Sequence, residues 1–271
     1  MESSPVASLK PVAPTKPVAP YVGGKFYLAR RLVARIEAIP HDTYAEPFVG
    51  MGGVFLRRRQ AAKVEIVNDI NKEIITLYRI LQRHYVAFLE MMRFQITSRA
   101  EFERLAKTDP STLTDLERAA RILYLQRTAY GGRAYGQTFG ISPTNPGRFN
   151  ATKLGPMLED LHERLEGVVI ECLPYGDFIR RYDNPETLFY LDPPYWGHEN
   201  LYGPVFERAD FTCLADQLAG IEGKFILSLN DTPEIRELFA AFRIDTVETT
   251  YSVQRKGRGK PAKEVVISNG P

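Results

Sequence analysis

Apolar and polar positions fall into two kinds of block along this chain. One kind is the short, nearly unbroken apolar run. Leu188-Phe189-Tyr190-Leu191 is the clearest, and Val64-Glu65-Ile66-Val67, Val168-Val169-Ile170-Glu171-Cys172-Leu173 and Lys224-Phe225-Ile226-Leu227-Ser228-Leu229-Asn230 are similar. Such runs are expected of strands buried on both faces of a parallel sheet. Thr43-Tyr44-Ala45-Glu46 reads as another strand and runs into a glycine turn, after which a helix is expected. The other kind is helical. Leu28, Leu32, Val33 and Ile36 share one face of a helix that stops near Pro40, and further helices are expected from about 70 to 84, from 175, near 210–221 and near 233–241. Runs at 243–252 and 264–268 read as a closing hairpin. The sum is an α/β fold of about seven strands, mostly parallel, with a terminal antiparallel hairpin.

The alternation fails in two places. Residues 1–20 contain Lys10-Pro11-Val12-Ala13-Pro14 and its repeat Lys16-Pro17-Val18-Ala19-Pro20, and read as a disordered Pro-rich arm with little to bury. From about Tyr85 to Glu166 helical patterns appear near 85–95, 100–106 and 115–128, with no convincing strand between them. This stretch is expected to be a mainly helical insertion.

Composition sets limits. The chain has 271 residues, 44% hydrophobic and 25% charged, which suits one α/β domain with an insertion. A net charge of +2 does not by itself point to nucleic acid. Two cysteines, Cys172 and Cys213, make no disulfide framework and no zinc spacing, so a reduced, cytoplasmic setting is expected. The four histidines are scattered, and no metal site is expected. No apolar run is long enough to span a membrane, and no signal peptide is apparent.

The charge distribution says more. From Arg127 through Asn150 there is no Asp or Glu, while Arg127, Tyr130, Arg133, Tyr135 and Arg148 recur among glycines and amides. Arginine interleaved with aromatics suits phosphate contact, base-edge readout and stacking, although a solvated loop has the same composition. A second basic stretch, with Arg255, Lys256 and Arg258, reads as a hairpin loop facing a polyanion, and a solvated charge run accounts for it nearly as well.

The candidate chemistry gathers where buried strands stop. The central run ends in Asp192-Pro193-Pro194-Tyr195-Trp196. Two prolines cannot continue a ladder, so the chain leaves the sheet at Asp192 as a stiff turn. Ligands in open α/β sheets bind outside those carboxyl ends. Phe48-Val49-Gly50-Met51-Gly52-Gly53 is not the full dinucleotide fingerprint, but its glycines allow a ligand close to the backbone. Asp69, nineteen residues past Gly50, stands where a second-strand acid reaches ribose hydroxyls, and it would serve equally as a helix N-cap.

Taken together, Tyr21 to Lys25, the glycine motif, Asn68-Asp69-Ile70-Asn71 and Asp192-Pro193-Pro194-Tyr195 resemble the Dam-type (alpha-group) DNA N6-adenine methyltransferases. The resemblance spans roughly residues 20–270. It implies a Rossmann-like sheet that uses S-adenosyl-L-methionine to methylate the exocyclic amino group of a flipped adenine in double-stranded DNA. By position it implies cofactor contacts from Tyr21, Lys25, Glu46, Phe48, Gly50, Gly52, Asp69, Asp177 and Asp192. Catalysis is implied for Asp192, Pro193, Pro194 and Tyr195. The domain division expected is a catalytic part at 21–84 and 167–271, with a target-recognition insertion at 85–166, working as a monomer or weak dimer near the nucleoid. The chemistry suits these residues. The Asp192 carboxylate and the Pro193 carbonyl are two fixed acceptors for two amine hydrogens, Tyr195 offers a stacking ring, and Asp192 is expected to be normally ionised. An RNA adenine methyltransferase would keep the catalytic turn and change the insertion. A nucleotide-dependent oxidoreductase gives Asp-Pro-Pro-Tyr no task, and a non-enzymatic DNA-binding protein leaves both ligand-shaped turns unexplained.

Overall fold

The computed structural model describes residues 9–141, 144, 146–203, 205–251 and 260–270. Its strands are β1 (Lys10–Pro11), β2 (Thr43–Glu46), β3 (Gln60–Ala61), β4 (Val64–Asn68), β5 (Val169–Glu171), β6 (Thr187–Leu191), β7 (Lys224–Asn230), β8 (Arg243–Tyr251) and β9 (Lys260–Ser268). Its helices are α1 (Ala29–Ala38), α2 (Lys72–Met92), α3 (Arg99–Lys107), α4 (Asp115–Thr128), α5 (Ala151–Arg164), α6 (Tyr175–Tyr182), α7 (Arg208–Ala219) and α8 (Pro233–Leu238).

Seven strands form one sheet in the order β5-β4-β2-β6-β7-β9-β8. The first five are parallel, and β9 runs antiparallel to both β7 and β8. The expected mostly parallel sheet with a closing antiparallel hairpin is therefore present. From β2 the chain steps outward to β4 and β5, then returns to β6 on the other side of β2. Strand order reverses between β2 and β6, and connections leaving their carboxyl ends part there to open a crevice.

Every residue of β6 is buried, because both faces of the sheet are covered. Side chains alternate along it. Leu188 and Tyr190 join the core under α1, α2, α4 and α5, while Phe189 and Leu191 join the one under α6, α7 and α8. The β4–β5 crossover carries α2 to α5, and their apolar residues (Leu77, Leu81, Leu123, Leu158) belong to the same core as Leu188 and Tyr190.

Three local expectations need correction, and a fourth holds. Residues 9–20 are not a disordered arm: β1 pairs with β3, the Thr15 N–H donates to the Leu56 carbonyl at 2.7 Å, and Val18 and Ala19 are buried. Proline removes donors but leaves carbonyls and apolar surface, and edge pairing uses both. The helix expected after the glycine turn is one 3-10 turn, Phe55–Arg57, after which the chain is extended at Arg58, whose guanidinium is buried against Glu65. The break expected at residue 84 is present as a kink in α2 at His84, whose φ and ψ (−131°, 33°) are not helical. Finally, α5 lies where the sequence reading placed no helix. Gly155-Pro156 inside it masks the pattern, while Asn150 caps it by accepting from the Lys153 N–H at 2.9 Å.

Candidate active site

Polar residues end the central strands, and the candidate site is built from them. Asn68, the last residue of β4, braces the crevice. Its side-chain amide donates to the carbonyls of Pro47 (2.9 Å) and Leu173 (3.0 Å), and its oxygen accepts from the Leu173 N–H (2.7 Å). The segments beyond β2, β4 and β5 are thereby tied together. Asn230, the last residue of β7, clamps Trp196 in the same manner: it accepts from the Trp196 N–H and donates to the Trp196 carbonyl, both at 3.0 Å. The Asp192–Trp196 turn is thus held at its far end by a side chain from the neighbouring strand.

Pro193, Pro194 and Tyr195 are buried, whereas the Asp192 side chain keeps about a fifth of its surface (21%). One Asp192 oxygen lies 2.6 Å from Lys25 Nζ and 3.4 Å from Ser228 Oγ, and that hydroxyl is also 3.0 Å from Tyr190 Oη. Lys25 Nζ also donates to the Tyr195 hydroxyl, over whose ring it lies. Burial pushes the Asp192 carboxyl up to about 6, against the pull of Lys25. The expectation of an ordinary acid is corrected in that respect: Asp192 is ionised at neutral pH but is a better proton acceptor than a solvated aspartate. Among the described residues no hydrogen bond reaches the Pro193 carbonyl.

Facing this turn is the glycine loop. Gly50 has φ +50°, and a Cβ there would come within 3.0 Å of the Tyr21 ring. Its N–H donates to Asp69 Oδ2 at 2.9 Å, and its carbonyl accepts from Tyr78 of α2 at 3.0 Å. Asp69 Oδ1 accepts from the Asn71 N–H at 2.8 Å, and Asn71, not Asp69, caps α2. Burial raises Asp69 to about 6 in spite of both bonds. Glu46, the last residue of β2, accepts from Tyr44 Oη at 2.6 Å and is pushed up to about 8 by burial. Phe48 packs with Tyr175 and Phe206, ring centroids 5.6 and 5.9 Å away. The Gly52 loop lies against Leu56 and Tyr78. Asp177 sits on the first turn of α6, half exposed, in an ion pair with Arg180.

The N-terminal segment and the arginine-aromatic loop meet beside the catalytic turn. Tyr202, just past it, donates to the Val22 carbonyl at 3.1 Å, and its hydroxyl occupies the space a Cβ on Gly23 (φ +75°) would need. The Gly132 carbonyl accepts from the Val22 N–H at 2.8 Å, and the Tyr135 ring packs on Gly203. Tyr130, Arg133 and Tyr135 are exposed on this rim. Two arginines of the loop are used internally. Arg127 donates to the Val18 carbonyl, which corrects its reading as an exposed DNA contact, and Arg148 donates to the Ala129 carbonyl at 2.8 Å while remaining exposed. Arg255, Lys256 and Arg258 lie outside the described residues.

Sequence reasoning missed Asn68 as a brace, Asn230, Ser228, Tyr202 and Glu264 as parts of this region. The signal available for Asn230 was the one that marked Asp192: a polar residue ending a buried apolar run. Glu264 stands opposite Asn230 in the β7–β9 register, at the head of the apolar run Val265-Val266-Ile267.

A seven-stranded sheet with one reversed strand, an acid at each of two central strand ends and a proline-held turn at the switch point are what the resemblance implies for an α/β group-transfer enzyme of the methyltransferase class. The family described as D12 class N6 adenine-specific DNA methyltransferase matches residues 21–253, and the chain belongs to it. It is 25% identical over 278 residues to the type II methyltransferase M1.LlaDCHI of Lactococcus lactis subsp. cremoris, covering 92% of this chain and 93% of that one. It is 26% identical over 253 residues to the DNA adenine methylase of Salmonella typhi and over 259 residues to that of Escherichia coli (strain K12), covering 88% of each chain in both comparisons. The chain is therefore an enzyme that methylates adenine in DNA, with S-adenosylmethionine as methyl donor. Among the described residues no helix is long and apolar enough to cross a membrane.

Proposed function

We propose that Asp192 and the Pro193 carbonyl receive the exocyclic amine of an adenine turned out of double-stranded DNA, and that the loop at residues 46–53 with Asp69 holds the methyl donor beside it. The observation that carries this reading is Asp192 itself: a partly open carboxylate at the switch point, next to a carbonyl that no donor among the described residues uses. The crevice suits the donor. Glycine at position 50 lets the chain pass the Tyr21 ring, and three raised carboxyl groups (Glu46, Asp69, Asp192) gain from a cationic ligand. Tyr21, Lys25, Glu46, Phe48, Gly50, Gly52 and Asp69 would line its site. Asp177, on its exposed turn, would reach the site only at the edge. S-adenosylmethionine supplies an electrophilic methyl group on a sulfonium.

The adenine amine is a weak nucleophile because its lone pair is delocalised into the ring. Asp192 Oδ and the Pro193 oxygen would accept its two hydrogens, favour a pyramidal nitrogen and stabilise the positive charge that grows on it. The clamp from Asn230 and the two prolines keep those acceptors fixed, which limits reorganisation. As the nitrogen gains the methyl group it gives up one hydrogen as a proton, which Asp192 can hold before water removes it. Tyr195, with Lys25 over its ring, would form the wall on which the extruded base stacks. Residues 85–166 would serve as the target-recognition part, with Tyr130, Arg133, Tyr135 and the exposed face of Arg148 toward the duplex, and the hairpin residues Arg255, Lys256 and Arg258 on its backbone.

One chain supplies every group named, so a monomer or weak dimer suffices. Two free cysteines suit work in the cytoplasm, beside the DNA. The test is methyl incorporation from labelled donor into duplex DNA lacking adenine methylation, followed by mapping of the modified base. Asp192→Ala is expected to lower transfer by about a thousandfold or more, in line with loss of a group acting in the transition state. Transfer to cytosine, or an active Asp192→Ala enzyme, would refute the assignment.

A further inference from the structure

The carboxylate assigned to the adenine amine already carries a cation. Lys25 Nζ is 2.6 Å from Asp192 Oδ1, hydrogen-bonds the Tyr195 hydroxyl and lies 3.6 Å from Glu264 Oε2. The Lys25 and Glu264 side chains are 2% and 3% exposed, so water solvates neither. An ammonium on that carboxylate competes with the amine for the acceptor, and its charge opposes the charge that develops on the attacked nitrogen. It cannot simply withdraw, because a buried ammonium without an acid beside it is strongly unfavourable. The second acid is already in place. Strand β9, inserted between β7 and β8, puts Glu264 opposite Asn230, the residue that clamps the catalytic turn.

We propose that Glu264 is a positioning residue: it is the second seat for the Lys25 ammonium, which passes from Asp192 to Glu264 when the target amine enters. This rests on the assignment of Asp192 as amine acceptor. The move is short, it exchanges one carboxylate partner for another, and it leaves the buried charge of the cluster unchanged. Before adenine arrives, Lys25 keeps Asp192 ionised and the acceptor occupied. Afterwards Asp192 is free for the amine, and the cation is one carboxylate further from the reacting nitrogen. Among the described residues, the titratable groups facing the cluster are Tyr21 from the N-terminal segment, Glu46 from β2, Tyr190, Asp192 and Tyr195 from β6 and its turn, Tyr202 beyond it, and Glu264 from β9.

The experiment measures methyl incorporation from tritium-labelled donor into plasmid DNA prepared without adenine methylation, as kcat, KM and pH profile. Glu264→Gln is expected to lower kcat about tenfold or more with little change in KM for the donor, because the amide cannot take the ammonium. Glu264→Asp, which keeps the charge, recovers most of that loss. Lys25→Met removes the competing ammonium. Because Lys25 also lines the donor site, this variant is expected to be slower than the parent, with the acid limb of its remaining activity moved upward because Asp192 has lost its neighbouring cation. In that background Glu264→Gln changes kcat by less than about twofold, the signature of a residue acting through Lys25. An equal loss from Glu264→Gln in both backgrounds, no loss in the parent enzyme, or no recovery in Glu264→Asp overturns the proposal. An active Asp192→Ala enzyme is a different failure, since it removes the catalytic assignment whatever Glu264 does.

Discussion

Two buried charge clusters sit at opposite ends of one sheet, and they are built from the same ingredients in opposite proportions. At the amino ends, Glu65 of β4 is shared by Arg58 (2.5 Å) and by both terminal nitrogens of Arg164 (2.6 and 2.9 Å), the last residue of α5. The guanidinium groups also lie over Tyr44 and Phe55, at 3.7 and 4.0 Å from the ring centroids. Two cations saturate one acid, and nothing is left for a ligand on it. At the carboxyl ends, among the described residues, one cation, Lys25, stands between two acids, Asp192 and Glu264. Saturation makes an anchor that pins the end of the long β4–β5 crossover to the sheet. A surplus of acid, held at a switch point and partly open, makes a place where a cationic donor and an amine can compete for partners.

The comparison is broken most directly by removing the central acid of each cluster. Asp192→Ala should eliminate transfer while leaving the melting temperature unchanged or raised, because an acid pushed up to about 6 by burial is itself unfavourable to folding when ionised. Glu65→Ala should do the reverse. It strands two buried guanidinium groups, a loss of about 3–5 kcal/mol, which for a chain of this size lowers the melting temperature by roughly 10 °C. The enzyme that remains folded should keep its activity. Thermal melts and single-turnover assays on the two variants decide the matter: a Glu65→Ala protein that melts normally, or an Asp192→Ala protein that loses its fold, would erase the distinction.

A smaller effect comes from pH. Glu46, raised to about 8, binds its proton more tightly in the folded protein than in the unfolded chain. Its contribution to stability is complete below the ordinary carboxylate range and is lost as pH rises through about 8. Asp69 and Asp192 shed theirs lower, near 6, where His41, depressed to about 4, acts in the opposite sense. The clean window is therefore from about 6.5 to 8, where melting should fall by a few degrees, about 1–2 kcal/mol in all. Glu46→Gln should flatten that slope. Donor binding should steepen with pH over the same window, and a slope unaltered in Glu46→Gln would assign it to another group.

How far the sequence discloses all this depends on whether the cause is local. Strand ends were legible, because Asp192 and Glu46 each close an apolar run, and the runs disclosed a mostly parallel sheet with a closing hairpin but not the order of its strands. The paired acids of the crevice were half legible: Asp69 was marked by its distance from Gly50, but its bond to the Gly50 N–H was not. Partners far apart in the chain were invisible. Lys25 was read as a donor contact, and its ammonium touches a turn 170 residues away. Glu264 carries no motif at all. Local rules also misled where one residue type does two tasks. Proline in residues 9–20 signalled disorder while supplying buried surface and carbonyls, and Gly155-Pro156 hid α5.

The same lesson gives the finest test, within the arginine-aromatic loop. Arg127 and Arg133 belong to one acid-free stretch and are indistinguishable by composition, but their surroundings differ. The Arg127 guanidinium is turned inward to the Val18 carbonyl and tied to residues 9–20, and burial lowers its proton affinity. Arg133 is exposed, and among the described residues its guanidinium has no partner. Arg133→Ala should therefore weaken duplex binding only a few-fold, with no change in melting, and reduce the slope of log affinity against log salt by about one if it contacts one phosphate. Arg127→Ala should leave that slope alone and lower the melting temperature instead, because it frees the N-terminal segment from the sheet domain. Fluorescence anisotropy of a labelled duplex between about 50 and 200 mM salt reads the first quantity and a thermal melt the second. If Arg127→Ala changes the salt slope and Arg133→Ala does not, the inward and outward assignments are reversed, and the rim formed by Tyr130, Arg133 and Tyr135 is not the face that meets DNA.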